Sequence, residues 1–146
     1  MNQVKQDKAD LKIGNPFYQA AGIFFLLLIS QVVLASGDYE QKMFWQMGLL
    51  FHMIFILFNI LMGFQITRFG KYWKQSAIAF VGLTVLGIFM IAQFSGQSIG
   101  DAGMTRRMYN LFIVVFGILH VMMGFARWIV KYAEEEKWTK PRKKSR

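Results

Sequence analysis

Four long runs of apolar residues dominate the hydrophobic pattern of the chain. They extend over residues 17–35, 43–66, 75–94 and 107–132, and none contains a proline or an acidic residue. A helix needs about 20 mostly apolar residues to cross the hydrocarbon core of a bilayer. Backbone groups in hydrocarbon must also be paired within their own segment, which favours helices. The pattern therefore predicts four transmembrane helices.

The connections between these runs are short and cover residues 36–42, 67–74 and 95–106. Connections of this length join neighbouring antiparallel helices. We therefore expect an all-α integral membrane protein whose four spans form an up-down helical bundle. The chain then divides into an N-terminal segment, the transmembrane domain and a basic tail, at residues 1–16, 17–132 and 133–146. The fourth helix is expected to continue beyond the membrane as far as Trp138 and to end before Pro141.

Composition and charge agree with membrane insertion. Hydrophobic residues make up 55% of the chain and charged residues 17%, compared with about 25% charged residues in soluble domains. With no cysteine, disulfides and thiolate metal sites are excluded. The net charge is +9, and the basic residues lie mainly in the segments that flank the predicted spans. This distribution argues against nucleic acid as a partner. Membrane lipids and other membrane subunits are the expected partners.

The flanking charges predict the orientation, since Lys and Arg concentrate on the cytoplasmic side. With the N-terminus inside, 14 basic residues lie inside and three, Lys42, Arg106 and Arg107, lie outside. Both termini are therefore expected in the cytoplasm, in a bacterial cytoplasmic membrane. In a eukaryote, the terminal sequence Lys143-Lys144-Ser145-Arg146 resembles a dilysine signal for the endoplasmic reticulum. A further alternative is cleavage of the first span as a signal peptide after Ala35.

The second and fourth runs resemble each other at an offset of 61 residues. Eight of 22 aligned positions are identical, including Phe55 with Phe116 and Gly63 with Gly124. Several identities step by three and four and so share one helical face. We interpret the chain as two tandem helical hairpins that form parallel repeats about an axis along the membrane normal. The shared helical face should then be buried in equivalent surroundings in both halves.

Two histidines, His52 and His120, are the only ionisable side chains deep within the predicted spans. As neutral imidazoles they would suit the axial positions of haem b. The protein would then be a haem-b or quinone-linked redox subunit. At the 61-residue offset, however, His120 aligns with Asn59 and not with His52. A hydrogen-bonded structural pair of Asn59 and His120 at one depth is the simpler interpretation.

Methionine pairs form a second candidate site at the outer ends of two helices. Met43 and Met47 recur as Met104 and Met108, and each pair shares a helix face. Thioether sulfurs select Cu(I), and His52 lies two turns below the first pair. Methionine also fills irregular gaps in apolar interfaces, so packing is the competing explanation for both pairs.

No buried carboxylate, nucleotide loop or nucleophile accompanies these residues. We therefore expect no catalytic residues and favour a small non-catalytic membrane subunit that packs within, or assembles, a larger complex, for which electron transfer is one setting. We expect no resident cofactor, with haem b and Cu(I) as the alternatives. Aromatic residues at the span ends are expected to be interfacial anchors, namely Tyr39, Phe44, Trp45, Tyr72, Trp73, Trp128 and Tyr132.

Overall fold

A computed structural model of the chain describes residues 14–66 and 69–139, with side chains as far as Ala133. Within these residues the structure is all-helical. It consists of α1 (Pro16–Ala35), α2 (Gln41–Gln65), α3 (Phe69–Ser95) and α4 (Met104–Thr139). Each helix is long and apolar enough to cross a membrane, the candidate span of α4 being Met104–Ala133. The fold is that of an integral membrane protein with four apolar helices.

Local sequence explains where the helices begin and turn. Asn15 precedes α1, and its Oδ1 accepts a hydrogen bond of 3.0 Å from the backbone N–H of Phe17. Pro16 occupies the first turn of α1, where no N–H is needed for the helix ladder. Gly96 and Gly103 have φ angles of 65° and 53° at the two ends of the α3–α4 connection, a conformation that favours glycine.

Two helices extend well beyond the apolar runs of the sequence. α3 begins at Phe69, so most of the segment expected to connect the second and third spans is helical. Tyr72, in this first part of α3, packs inside the bundle and is 3% exposed. α4 is 36 residues long and ends at Thr139. The N-terminal segment to Ile13 and the tail from Lys140 lie outside the described residues.

The four helices do not pack equally. α1, α2 and α3 each contact one another, whereas α4 packs chiefly against α2. Contacts join Gly48 to Tyr109 and Gly63 to Met123, so α2 and α4 run in the same direction. The sequence separations of these contacts, 61 and 60 residues, match the offset at which the two helices resemble each other. Residues equivalent by sequence therefore lie at similar levels on the two helices.

Two apolar clusters fill the bundle. One is formed by all four helices and includes Phe55, Phe80 and Phe116, with the rings of Phe80 and Phe116 stacked at 4.1 Å. The other lies toward the end where α1 leads into α2 and includes Leu27 and Ile91. Within the face shared at the 61-residue offset, Phe55 and Phe116 are both buried, whereas Leu50 and Leu111 are 41% and 52% exposed, so the expected burial holds for only part of this face.

Three of the expected interfacial anchors are core residues instead. Phe44, Trp45 and Tyr72 are 6%, 0% and 3% exposed. Trp45 packs edge-on against Tyr109 of α4, with the ring centroids 6.2 Å apart. Sequence position near a span end does not say which face of the helix a ring occupies, so inward-facing rings were misassigned. The remaining anchors have exposed rings, namely Tyr39, Trp73, Trp128 and Tyr132.

Candidate functional site

A buried polar network joins α2, α3 and α4 in the apolar middle of the bundle. Ser76 Oγ donates to Asn59 Oδ1 at 2.5 Å and lies 3.2 Å from His120 Nε2. The Tyr72 hydroxyl donates to the backbone carbonyl and to Oδ1 of Asn59, at 3.0 and 3.1 Å. Asn59 and His120 therefore meet through the hydroxyl of Ser76, which lies between them.

The backbone of each helix fixes the orientation of its polar residue. Asn59 Nδ2 donates to the carbonyl of Phe55 at 3.1 Å, and His120 Nδ1 bonds the carbonyl of Phe116 at 2.9 Å. Both bonds span four residues, at aligned positions of the two helices. Because a carbonyl only accepts, His120 carries its proton on Nδ1 and its Nε2 lone pair faces Ser76. The single Ser76 proton then serves either Asn59 or His120.

A second polar group lies closer to the end where α1 leads into α2. The Nδ1 atom of His52 bonds the Gly48 carbonyl at 2.7 Å, and the ring stands edge-on to Tyr109 with centroids 5.1 Å apart. His52 Nε2, the Tyr109 hydroxyl and Trp45 Nε1 are buried without a hydrogen-bond partner among the described residues. This group is structurally separate from the Ser76 network.

Two glycines allow these rings to approach the helices. A Cβ at Gly48 would lie 2.6 Å from the Tyr109 oxygen and would overlap the Ile91 side chain. A Cβ at Gly87 would lie 3.1 Å from Cε1 of His52. The absence of a Cβ at Gly48 and Gly87 therefore leaves room for the rings of Tyr109 and His52.

Phenyl rings separate His52 from His120, the two candidate haem ligands. His52 stands edge-on to Phe80 at 6.3 Å, Phe80 stacks on Phe116, and Phe116 lies 4.0 Å from His120, all measured between ring centroids. Phenyl rings therefore occupy the path between the imidazoles. Nε2 of His120 is also directed at Ser76 and not at His52.

The methionine pairs lie around the start of α2 and α4, where Met47 and Met108 are half-buried. Met43 is 41% exposed and Met104 71% exposed. A cavity of about 590 Å³ beside Met104 and Met108 is lined by α4 and the residue before it, and it includes Arg107. Neither Met43 nor Met47 lines this cavity, and the Arg107 cation opposes a copper ion there. The described residues contain no group of three or more His, Asp or Glu side chains that could hold a metal ion.

The opposite end of the bundle, where α2 ends and α3 begins, is held by Arg127 of α4. Its Nη1 donates to the carbonyls of Gly63, at 2.6 Å, and of Ile66. These are carbonyls at the end of α2 that lack partners within the helix. The guanidinium also lies 5.3 Å from the ring centre of Phe69.

Comparisons with protein family models, curated proteins and solved structures gave no match. The assignment of function therefore depends on the chain's own geometry. Of the residues singled out from sequence, the structure links Asn59 with His120 and leaves His52 apart. Sequence analysis missed Tyr72, Ser76 and Tyr109, because nothing in an apolar run shows which hydroxyl faces a neighbouring helix.

Proposed function

We propose that the protein is a non-catalytic membrane subunit that binds a transmembrane helix of a partner protein through the outward face of α4. The observation that carries the proposal is the poor coverage of α4. Only 17% of its span is buried within the chain, compared with 28–39% for the other three spans. α4 packs chiefly on α2, which leaves its opposite face free for another helix.

The side chains on this face favour a helix over lipid alone. Asn110, Val114, Gly117 and Val121 are all exposed, and their spacing of four, three and four residues follows one seam of the helix. A Cβ at Gly117 would have no neighbour within 4 Å. Small residues let helix backbones approach, and an exposed Asn offers an interhelical hydrogen bond. We define these four residues as the α4 seam.

Site-specific crosslinking of the full chain in native membranes tests the proposal. A photoreactive amino acid at Val114 or Val121 should give one defined adduct, whereas the same probe at Val85, on the exposed face of α3, should give none. The Gly117→Leu variant should abolish the adduct. A colourless monomer that crosslinks to nothing from either position would overturn the proposal.

A variant on another helix separates partner binding from folding. Gly82 of α3 also has no neighbour within 4 Å of a Cβ position, so Gly82→Leu is the matched control for Gly117→Leu. Both proteins should unfold at similar temperatures in detergent, and only Gly117→Leu should lose the complex on a native gel. Equal loss in the two variants would assign the effect to folding.

We also propose that both termini face the cytoplasm and that the two hairpins are parallel repeats. The shared direction and register of α2 and α4 support the repeat, as does the paired burial of Phe55 and Phe116. Because the chain has no cysteine, single cysteines at Ser98 and Lys74 give unambiguous labelling. An impermeant maleimide added outside intact cells should label Ser98→Cys and not Lys74→Cys. Labelling of Lys74→Cys alone would show that the orientation is opposite to the one proposed.

A further inference from the structure

An open cavity of about 760 Å³ lies at the end of the bundle where α2 ends and α3 begins. Its lining combines apolar and aromatic side chains with three cations. We call it the basic cavity and define it by Phe64, Phe69, Lys71, Arg127, Trp128 and Lys131. The volume falls within the range of about 300–1,000 Å³ usual for ligand pockets.

Donors for an anion converge on the basic cavity from two helices. Lys71 and the first turn of α3 contribute an ammonium group and backbone N–H groups that lack helical partners. Such N–H groups at a helix start favour phosphate. From α4, Arg127 uses Nη1 for the end of α2, while its Nε and Nη2 groups make no hydrogen bond to a described residue.

The charge distribution is one-sided along the bundle. The acidic residues whose side chains are described, Asp38, Glu40 and Asp101, lie in the connections at the opposite end. Arg127 and the lysines at 71, 74 and 131 lie at the end that holds the basic cavity. Glutamates 134–136 follow in the sequence, so the preference is measured on the full chain.

From these observations we propose that the basic cavity binds the phosphate headgroup of an anionic glycerophospholipid, with the acyl chains running along the helices. Phe64 and Trp128, which are 55% and 61% exposed, provide apolar surface beside the cations. Basic pockets between transmembrane helices are known to suit anionic headgroups. The site is independent of the α4 seam, because it needs no partner protein.

Native mass spectrometry of the delipidated full chain tests this proposal. Phosphatidylglycerol should bind at least tenfold more tightly than phosphatidylcholine with the same acyl chains. The Lys71→Gln variant should lose roughly fivefold in phosphatidylglycerol affinity, since one charge near the surface contributes about 1 kcal/mol. The control Lys74→Gln removes the same charge outside the cavity and should change affinity less than about twofold.

Two further measurements distinguish the cavity from general surface charge and the lipid from free phosphate. Gly70 also lines the basic cavity, and a Cβ there would meet no atom within 4 Å, so Gly70→Leu should fold, fill the cavity and weaken binding with all charges retained. Glycerol 3-phosphate, which has no acyl chains, should not bind where phosphatidylglycerol saturates. Any one of four results would overturn the proposal. These are equal affinity for the two phospholipids, equal losses in both lysine variants, unchanged binding by Gly70→Leu, and tight binding of glycerol 3-phosphate.

Discussion

Asn59 and His120, 61 residues apart on two parallel helices, are joined through the hydroxyl of Ser76. Each also bonds the carbonyl four residues earlier in its own helix. The aligned positions thus make the same local bond with different side chains and share one partner on α3. This arrangement links α4 to both α2 and α3, close to the stacked rings of Phe80 and Phe116.

Ser76→Ala should therefore destabilise the protein. The substitution removes the one hydroxyl proton that serves either Asn59 Oδ1 or His120 Nε2, and a buried group that loses its partner costs about 1–3 kcal/mol. Hydrogen bonds within membranes average nearer 0.6 kcal/mol, so we expect a loss of about 1 kcal/mol in the free energy of unfolding. Titration with SDS in mixed micelles measures this quantity.

Ser30→Ala is the matched control for the Ser76 experiment. The Ser30 hydroxyl bonds the Leu27 carbonyl of its own helix at 2.7 Å, so its loss leaves no group on another helix unpaired. The free energy of unfolding should change by less than about 0.5 kcal/mol. Equal effects of the two substitutions would show that the Ser76 network does not join the helices.

Removal of the hydroxyl should change the free energy of unfolding differently at two buried tyrosines. Tyr72 donates to Asn59, and Tyr72→Phe should lower the free energy of unfolding by about 1 kcal/mol. The Tyr109 hydroxyl is buried with no partner among the described residues. Tyr109→Phe should be neutral or stabilising by up to about 1 kcal/mol, because an unpaired polar group leaves the interior. A loss for Tyr109→Phe as large as that for Tyr72→Phe would indicate an undetected partner.

Replacement of Gly48 and of Gly82 by alanine should have very different effects on the thermal unfolding temperature. A Cβ at Gly48 would crowd the Tyr109 oxygen and Ile91, whereas one at Gly82 would enter open space. Overpacking costs about 1–3 kcal/mol, so Gly48→Ala should lower the thermal unfolding temperature in detergent. Gly82→Ala should leave it unchanged or raise it, since alanine is the better helix former. Similar temperatures for both variants would contradict the close fit at Gly48.

The fold class could be predicted from sequence because four apolar runs of membrane-spanning length carry that information directly. The 61-residue offset led to the hypothesis that Asn59 and His120 form a pair, but it gave no indication that Ser76 connects them. The burial of Trp45 and Tyr72 was missed because hydrophobicity is uniform around these helices. When all sides of a helix are apolar, periodicity no longer shows which side faces the bundle, and tertiary packing decides.

Arg127 provides the final prediction, because it stabilises the end of α2 from another helix. Its Nη1 donates to the carbonyls of Gly63 and Ile66, and hydrogen bonds to charged groups contribute about 1.5–3 kcal/mol each. Arg127→Met retains the apolar stem and removes the donors, so the last turn of α2 should open more often. Hydrogen exchange should therefore quicken at residues 62–66 and stay unchanged near Gly48. Arg106→Met, at the exposed start of α4, serves as the control and should leave exchange at 62–66 unaltered. Unchanged exchange in Arg127→Met would show that the end of α2 is held by its own packing and not by this guanidinium.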